Sequence, residues 1–151
     1  MALSQTLATS FKVEILDGIH NFGTGVIRAT TAADTFKIAL YTTLATLNST
    51  TTVYTTQDEV TGTGYTAGGN TLVISQAPTS TNTETVAWLN FENSSWANAT
   101  FSADGALIYN STQGNKAVAI LNFGSTKTTA NQTFTVTFPA STSSAAIIRI
   151  T

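Results

Sequence analysis

The sequence predicts an all-β fold: a single-domain β-sandwich, jelly-roll-like, with about eight strands and one short N-terminal helix. Threonine, a β-branched residue that favours pleated sheets, makes up about a fifth of the 151 residues. Apolar and polar residues alternate in several segments. Clusters of glycine, asparagine and aspartate separate those segments. An immunoglobulin-like sandwich is the alternative, because strand order does not follow from one sequence.

The N-terminal region predicts two features before the first strand. Residues 1–10 are small and polar, which predicts a flexible arm preceding a single domain over residues 11–151. Phe11, Ile15 and Ile19 follow at helical spacing. That spacing predicts a short helix over roughly residues 10–17.

Strands are predicted along the rest of the chain, with one long interruption. Alternation predicts a strand in Asp34–Tyr41. The hydroxyl-rich stretch 42–70 is too long for a hairpin loop, so it predicts an extended excursion from the sandwich. Turns are predicted at Asp104–Gly105 and at Asn122–Gly124, and Asn131 is predicted to bracket a strand. The remaining predicted strands are Thr71–Ser75, Thr85–Phe91, Ala97–Ala103, Ala106–Tyr109, Ala117–Phe123, Thr133–Phe138 and Ala145–Ile150.

Charge and composition exclude several classes of function. Only 9% of the residues are charged, against about 25% in an ordinary domain, and the net charge is -2. Six Lys and Arg residues cannot form a long phosphate track, so no nucleic-acid partner is expected. No apolar run approaches the roughly 18 residues of a membrane span. With no cysteine there is no disulfide or thiolate metal site, and Met1–Ser10 lacks the pattern of a secretory signal.

Catalysis is not predicted from the titratable residues. The single histidine, His20, lies between apolar residues and is interpreted as a structural hydrogen-bonding group. The adjacent Asp58 and Glu59 would point to opposite faces of a strand, and Glu84 and Glu92 would lie too far apart for glycoside hydrolysis. The sequence therefore predicts no enzyme, no catalytic residue, no metal and no cofactor.

The two tryptophans carry different expectations. Trp88 lies in an apolar predicted strand and is expected in the core. Trp96 lies among small polar residues, where it could stack on a sugar, anchor an interface or close the end of the sandwich. Sugar stacking by Trp96 is the basis of an alternative function, a carbohydrate-binding β-sandwich module.

Several segments together resemble small virion structural proteins of tailed bacteriophages. The two most specific are GTGYTAGG within residues 58–72 and GALIYN followed by NKAVAILNFG within residues 105–124. The resemblance covers most of the chain in the same order. The other matching segments are FKVEILDGIHNF (11–22), DTFKIALYTT (34–43), WANATFSAD (96–104, directly before GALIYN), the continuation to STK (125–127) and AAIIRI (145–150).

The resemblance implies a structural role in the virion. Such cement or decoration proteins bind the outer surface of the phage head, bridge neighbouring subunits of the major capsid protein and act as homo-oligomers, dimers or trimers. It implies folding in the host cytoplasm before assembly, with no membrane partner. A tail or fibre component is the alternative within the same group. From exposure and composition, the candidate partner contacts are Leu3, Leu7, Tyr54, Tyr65 and Trp96.

Overall fold

The computed structural model describes residues 3–8, 11, 15, 18–24, 33–80 and 86–150. Of the helix predicted over residues 10–17, only Phe11 and Ile15 are described, so that prediction lies outside the described residues. The described elements are β1 (Thr6–Leu7), β2 (Phe36–Tyr41), β3 (Asn70–Thr71), β4 (Ile74–Ser80), β5 (Ala87–Phe91), β6 (Ser94–Asn110), β7 (Lys116–Val136) and β8 (Ile148–Ile150).

The strands form two antiparallel sheets, which confirms the predicted all-β sandwich. The larger sheet has the order β1-β7-β6-β2-β3 and the smaller has the order β4-β5-β8. Aromatic side chains that point inward from the strands fill the space between the two sheets. The rings of Phe36 and Phe91 are 5.9 Å apart, and those of Phe91 and Phe138 are 6.0 Å apart. The core therefore joins the larger sheet, the smaller sheet and the segment after β7.

A long bulged hairpin of β6 and β7 dominates the larger sheet, and it corrects two predicted turns. Asp104–Gly105 and Asn122–Gly124 both lie inside strands rather than between them. Ala103 pairs with Lys127 and Gly105 pairs with Asn122, so residues 123–126 stand opposite the single residue Asp104. Gly124 has a φ of 74°, the conformation that a bulge often needs. The glycine signal therefore marked a bulge, and pairing resumes on both sides of it.

The same correction applies at Asn131, which was predicted to bracket a strand. Its φ is 53°, yet β7 continues through it to Val136. The register shifts between the pairs formed by Ala99 and Phe101, which places a second bulge beside Asn131. Four predicted strands of the sequence are thus two continuous strands, because pairing with a neighbour overrides a local break signal.

The start of the chain adds a short strand to the larger sheet. β1 pairs antiparallel with β7, with Thr6 opposite Ile120 and Leu7 opposite Ala119. Leu3 is buried, and its carbonyl accepts a hydrogen bond from the Asn122 amide. Residues 3–8 of the predicted arm are therefore paired and partly buried.

Candidate functional site

All four tyrosines of the chain surround one buried carboxylate, Glu59, which is 7% exposed. Glu59 Oε2 accepts a hydrogen bond from the Tyr54 hydroxyl at 2.7 Å. Glu59 Oε1 accepts from the Tyr65 hydroxyl at 2.6 Å and from the backbone N–H of Gly68 at 2.7 Å. These three donors are neutral, and they replace the water that a carboxylate loses on burial. We call Glu59 and the four tyrosines the Glu59 cluster.

The Glu59 cluster attaches the 42–70 excursion to the sheet. The backbone N–H of Val60 donates to the carbonyl of Leu40 at 2.9 Å, and the Leu40 N–H donates to the Tyr65 hydroxyl at 2.9 Å. The ring of Tyr54 stacks on that of Tyr109 in β6, with centroids 4.6 Å apart. The excursion is consequently packed on β2 and β6 through its own buried polar core.

The electrostatics of the Glu59 cluster keep its phenols protonated. Burial, followed by the negative charge of Glu59, raises the pKa of Tyr109 to about 12. Burial and the hydrogen bond to Glu59 raise the pKa of Tyr54 and of Tyr65 well above the ordinary value. Burial and the Glu59 charge do the same to the pKa of Tyr41. The hydroxyls that bond to Glu59 therefore remain donors at neutral pH.

One glycine at the end of the excursion permits a close backbone contact. Gly69 has a φ of 64°, and a Cβ placed on it would lie 1.8 Å from the carbonyl oxygen of Ile38. Any side chain there would collide with β2, in addition to being strained by the left-handed conformation. Gly69 therefore allows the excursion to return to the edge of β2, where β3 begins.

A second polar cluster joins residues 18–24 to the β6–β7 turn. The Asn110 side chain is fully buried and donates to Asp34 Oδ2 at 2.8 Å. Its amide nitrogen also lies 3.0 Å from Nδ1 of His20. Asn110 Oδ1 accepts from the backbone N–H of Thr112 and of Gln113, both at 3.1 Å. These bonds agree with the interpretation of His20 as a structural residue.

The five predicted contact residues lie mostly inward. Leu3 is 6% exposed and Trp96 is 4% exposed, while Leu7, Tyr54 and Tyr65 are half-buried. The ring of Trp96 packs beside the rings of Tyr65 and Phe134, away from the surface. Trp88 is half-buried. The structure brings Tyr54 and Tyr65 together at Glu59, and it places Leu3 and Leu7 apart from them, beside β7. A role of these residues in partner contact stays a prediction.

Other apolar side chains form the exposed surface that a partner could touch. Leu44 is 70% exposed and Val53 is 46% exposed, and both belong to the excursion. Val73, between β3 and β4, is 56% exposed but lies outside the excursion and is not part of this surface. Sequence reasoning missed Leu44 and Val53 because nothing in their local pattern distinguishes them from buried aliphatic residues. It considered Glu59 only as a carboxylate paired with Asp58 and missed its buried role, for which the only sequence signal is a tyrosine five residues before it and another six after it.

One edge of β7 is flanked by an apolar groove. The groove has a volume of about 470 Å³, and Phe123, Phe134, Phe138 and Ile147 line it. Lys127 is the one charged residue of the described lining. The groove therefore offers apolar surface with little charge, which suits protein contact better than binding of an ionic ligand.

Within the described residues, no group of His, Cys, Asp or Glu side chains could hold a metal ion. In the same part of the chain, no helix has the length and apolar character needed to cross a membrane. Comparison of the chain with protein-family models, with curated proteins and with solved structures finds no match.

Proposed function

We propose that this chain is a phage virion structural protein that binds the outer surface of the head and cements neighbouring subunits of the major capsid protein. The observation that carries the proposal is the excursion, which the Glu59 cluster attaches to the sandwich and which presents Leu44 and Val53 to solvent. Apolar side chains on an ordered excursion can bind a partner without a large ordering cost. The proposal includes a jelly-roll-like topology and the resemblance to cement proteins, both of which the sequence suggests.

The chemistry of the exposed surface supports contact with many close neighbours. On the solvent side of the β6–β7 hairpin, hydroxyls pair across the strands, Ser95 with Thr135 and Ser102 with Thr128, each at 2.8 Å. With few charges on the chain, dense packing on a shell meets little repulsion. Binding only to the mature head stabilises that state by mass action, and several contacts for each oligomer add avidity.

The two alternative functions, carbohydrate binding and a role in the tail or fibre, depend on different features of the molecule. The carbohydrate-binding alternative depends on Trp96, whose ring is 4% exposed and presents no open face to a sugar. The tail or fibre alternative uses the same surfaces as head binding, and it differs in the number of copies for each particle. The proposal implies a homo-oligomer, a dimer or trimer, that lies in the host cytoplasm before assembly and on the outer surface of the virion head afterwards.

The proposal is tested by binding to expanded heads that lack this protein. Leu44→Ser and Val53→Thr each replace an exposed apolar side chain by a polar one. We expect each to weaken binding about tenfold, which corresponds to a loss of about 1.4 kcal/mol of binding free energy. Val73→Thr is the matched control, because it makes the same isosteric change as Val53→Thr at an exposed valine outside the excursion. No binding of the unaltered protein to heads, or equal loss in all three variants, would contradict the proposal.

A further inference from the structure

Among the described residues, backbone pairing covers the outer edge of β7, on the side away from β6, only over the first part of that strand. The N–H of Tyr54 donates to the carbonyl of Asn115, and the N–H of Ala117 donates to the carbonyl of Thr52. β1 then pairs with β7 at Ala119 and Ile120. From residue 123 to residue 136, no described residue pairs its backbone with this edge. We call residues 123–136 the open edge; such an edge is a template for a further strand.

The hydrogen-bond pattern shows which backbone groups point out of the open edge. The Ser95 carbonyl accepts from the Asn70 side chain at 2.9 Å, so the backbone of Ser95 points away from β7. Directly opposed residues of an antiparallel pair either bond each other or both point away. Thr135 is opposite Ser95, so its N–H and C=O point outward. The backbone direction alternates along a strand, so Thr133 points outward as well.

We propose that two copies of this chain form a homodimer by antiparallel pairing of their open edges over residues 132–136. The pairing joins the two five-stranded sheets into one continuous sheet. This inference goes beyond the proposed binding to heads and does not depend on it.

The stretch 132–136 is self-complementary in hydrogen bonding. In a pair centred on Phe134, Thr133 of one copy lies opposite Thr135 of the second copy. Both residues point their backbone groups outward, so each of the two symmetric pairs exchanges two N–H···O=C bonds. The Phe134 residues then lie opposite each other, next to the apolar groove. One register therefore satisfies both open threonines in both copies.

The near absence of charged side chains along the open edge permits this pairing. On an ordinary edge strand, charged side chains would oppose it. Lys127 is the one charged residue between Ala117 and Val136. In the register centred on Phe134, the two Lys127 residues lie seven residues from the axis on opposite sides. At about 3.4 Å for each residue they are roughly 48 Å apart, beyond the ~8 Å screening length of physiological salt. Two copies therefore meet without repulsion along the edge.

The bulges favour a closed dimer over an open fibre. Residues 123–126 and Asn131 interrupt the ladder of the hairpin, and bulges bend a strand away from straight pairing. After Asn131 the next register shift, between the pairs of Trp96 and Ala99, has its extra residue in β6, so β7 itself gains no residue over 132–136 and this short stretch remains suitable for pairing. A twofold contact uses this stretch in both copies, so no equivalent stretch stays free for a third.

The test is sedimentation of the unaltered protein, of Thr135→Pro and of a matched control, Thr128→Pro. Proline removes an outward N–H at either position and is tolerated at such edge positions. The N–H of Thr100 donates to Thr63, so Thr100 points away from β7, and Ser102, two residues later in β6, points the same way. Thr128 is opposite Ser102 and therefore points outward. Thr128 and Thr135 are both exposed, and each loses one equivalent hydroxyl bond to a serine of β6. Only Thr135 lies in the paired stretch.

We expect the unaltered protein and Thr128→Pro to dimerise alike, and Thr135→Pro to raise the dimer dissociation constant about 30-fold, since two N–H donors are lost from each dimer. Amide hydrogen exchange of the unaltered protein gives a reading that does not depend on a variant folding. The Thr133 and Thr135 amides should be protected at high concentration and should exchange rapidly on dilution.

Three results would overturn the inference. The first is a monomer at every concentration with rapid exchange at Thr135. The second is a dimer that Thr135→Pro leaves unchanged. The third is a monomer in which the Thr135 amide becomes protected only on expanded heads, because the open edge would then accept a capsid strand rather than a second copy.

Discussion

Glu59→Ala removes the acceptor at the centre of the Glu59 cluster. The carboxylate accepts three hydrogen bonds of 2.6 to 2.7 Å, from Tyr54, Tyr65 and Gly68. Bonds to a charged group contribute about 1.5–3 kcal/mol each, so three sum to about 4–5 kcal/mol at the lower figure. Water that enters the vacated space recovers about 1 kcal/mol. We therefore expect the free energy of unfolding to fall by about 3–4 kcal/mol.

The measurement is urea unfolding followed by tryptophan fluorescence. Glu59→Gln keeps one acceptor oxygen and the volume of the side chain, so it should cost about 1–2 kcal/mol. Glu92→Ala is the matched control, because Glu92 is exposed and should change stability by less than about 0.5 kcal/mol. If Glu59→Ala were as stable as Glu92→Ala, the excursion would not be held by this carboxylate and the reasoning would be refuted.

Three further predictions concern the same regions. Gly69→Ala should lower the melting temperature far more than Gly114→Ala, because their φ angles are 64° and 65° but only Gly69 has backbone within 4 Å of the added Cβ; equal losses would contradict this. The raised tyrosine pKa values stabilise the fold below about pH 10, the unfolded value, and that stability is lost as pH rises above it toward the folded values. Tyrosinate absorbance should therefore appear together with unfolding, and titration of the native protein near pH 10 would be inconsistent. Asn110→Ala should cost about 2–4 kcal/mol in chemical unfolding, because it leaves two turn N–H groups without their acceptor; a loss below 0.5 kcal/mol would contradict the role of Asn110.

The sheet class could be predicted from residue type and period, while strand boundaries could not. Asp34–Tyr41 alternates in sequence and forms β2, because alternation reflects the two faces of a sheet. Gly124 and Asn131 looked like strand ends, yet both have positive φ inside β7. A turn and a bulge use the same residues and the same backbone angles. The difference depends on whether a distant partner strand continues past them, which no local pattern records.

The candidate site was harder to predict than the fold for a related reason. The sequence singled out Tyr54 and Tyr65 within the excursion as candidate contacts for a partner. The structure turns both hydroxyls to Glu59, because an aromatic ring with one polar atom is as suited to a buried hydrogen bond as to a surface. Among the large apolar side chains that the structure describes, Leu44 is the most exposed, and only the fold of the excursion makes it so. Pairings that are distant in sequence decided both outcomes.

We propose that the chain covers the outer surface of a phage head. The most direct measurement is its copy number for each particle, by quantitative mass spectrometry of purified virions against the major capsid protein. The account predicts one copy, or a simple fraction of one, for each capsid subunit. A handful of copies for each particle would assign the protein to the tail or the portal vertex and would contradict the cementing role.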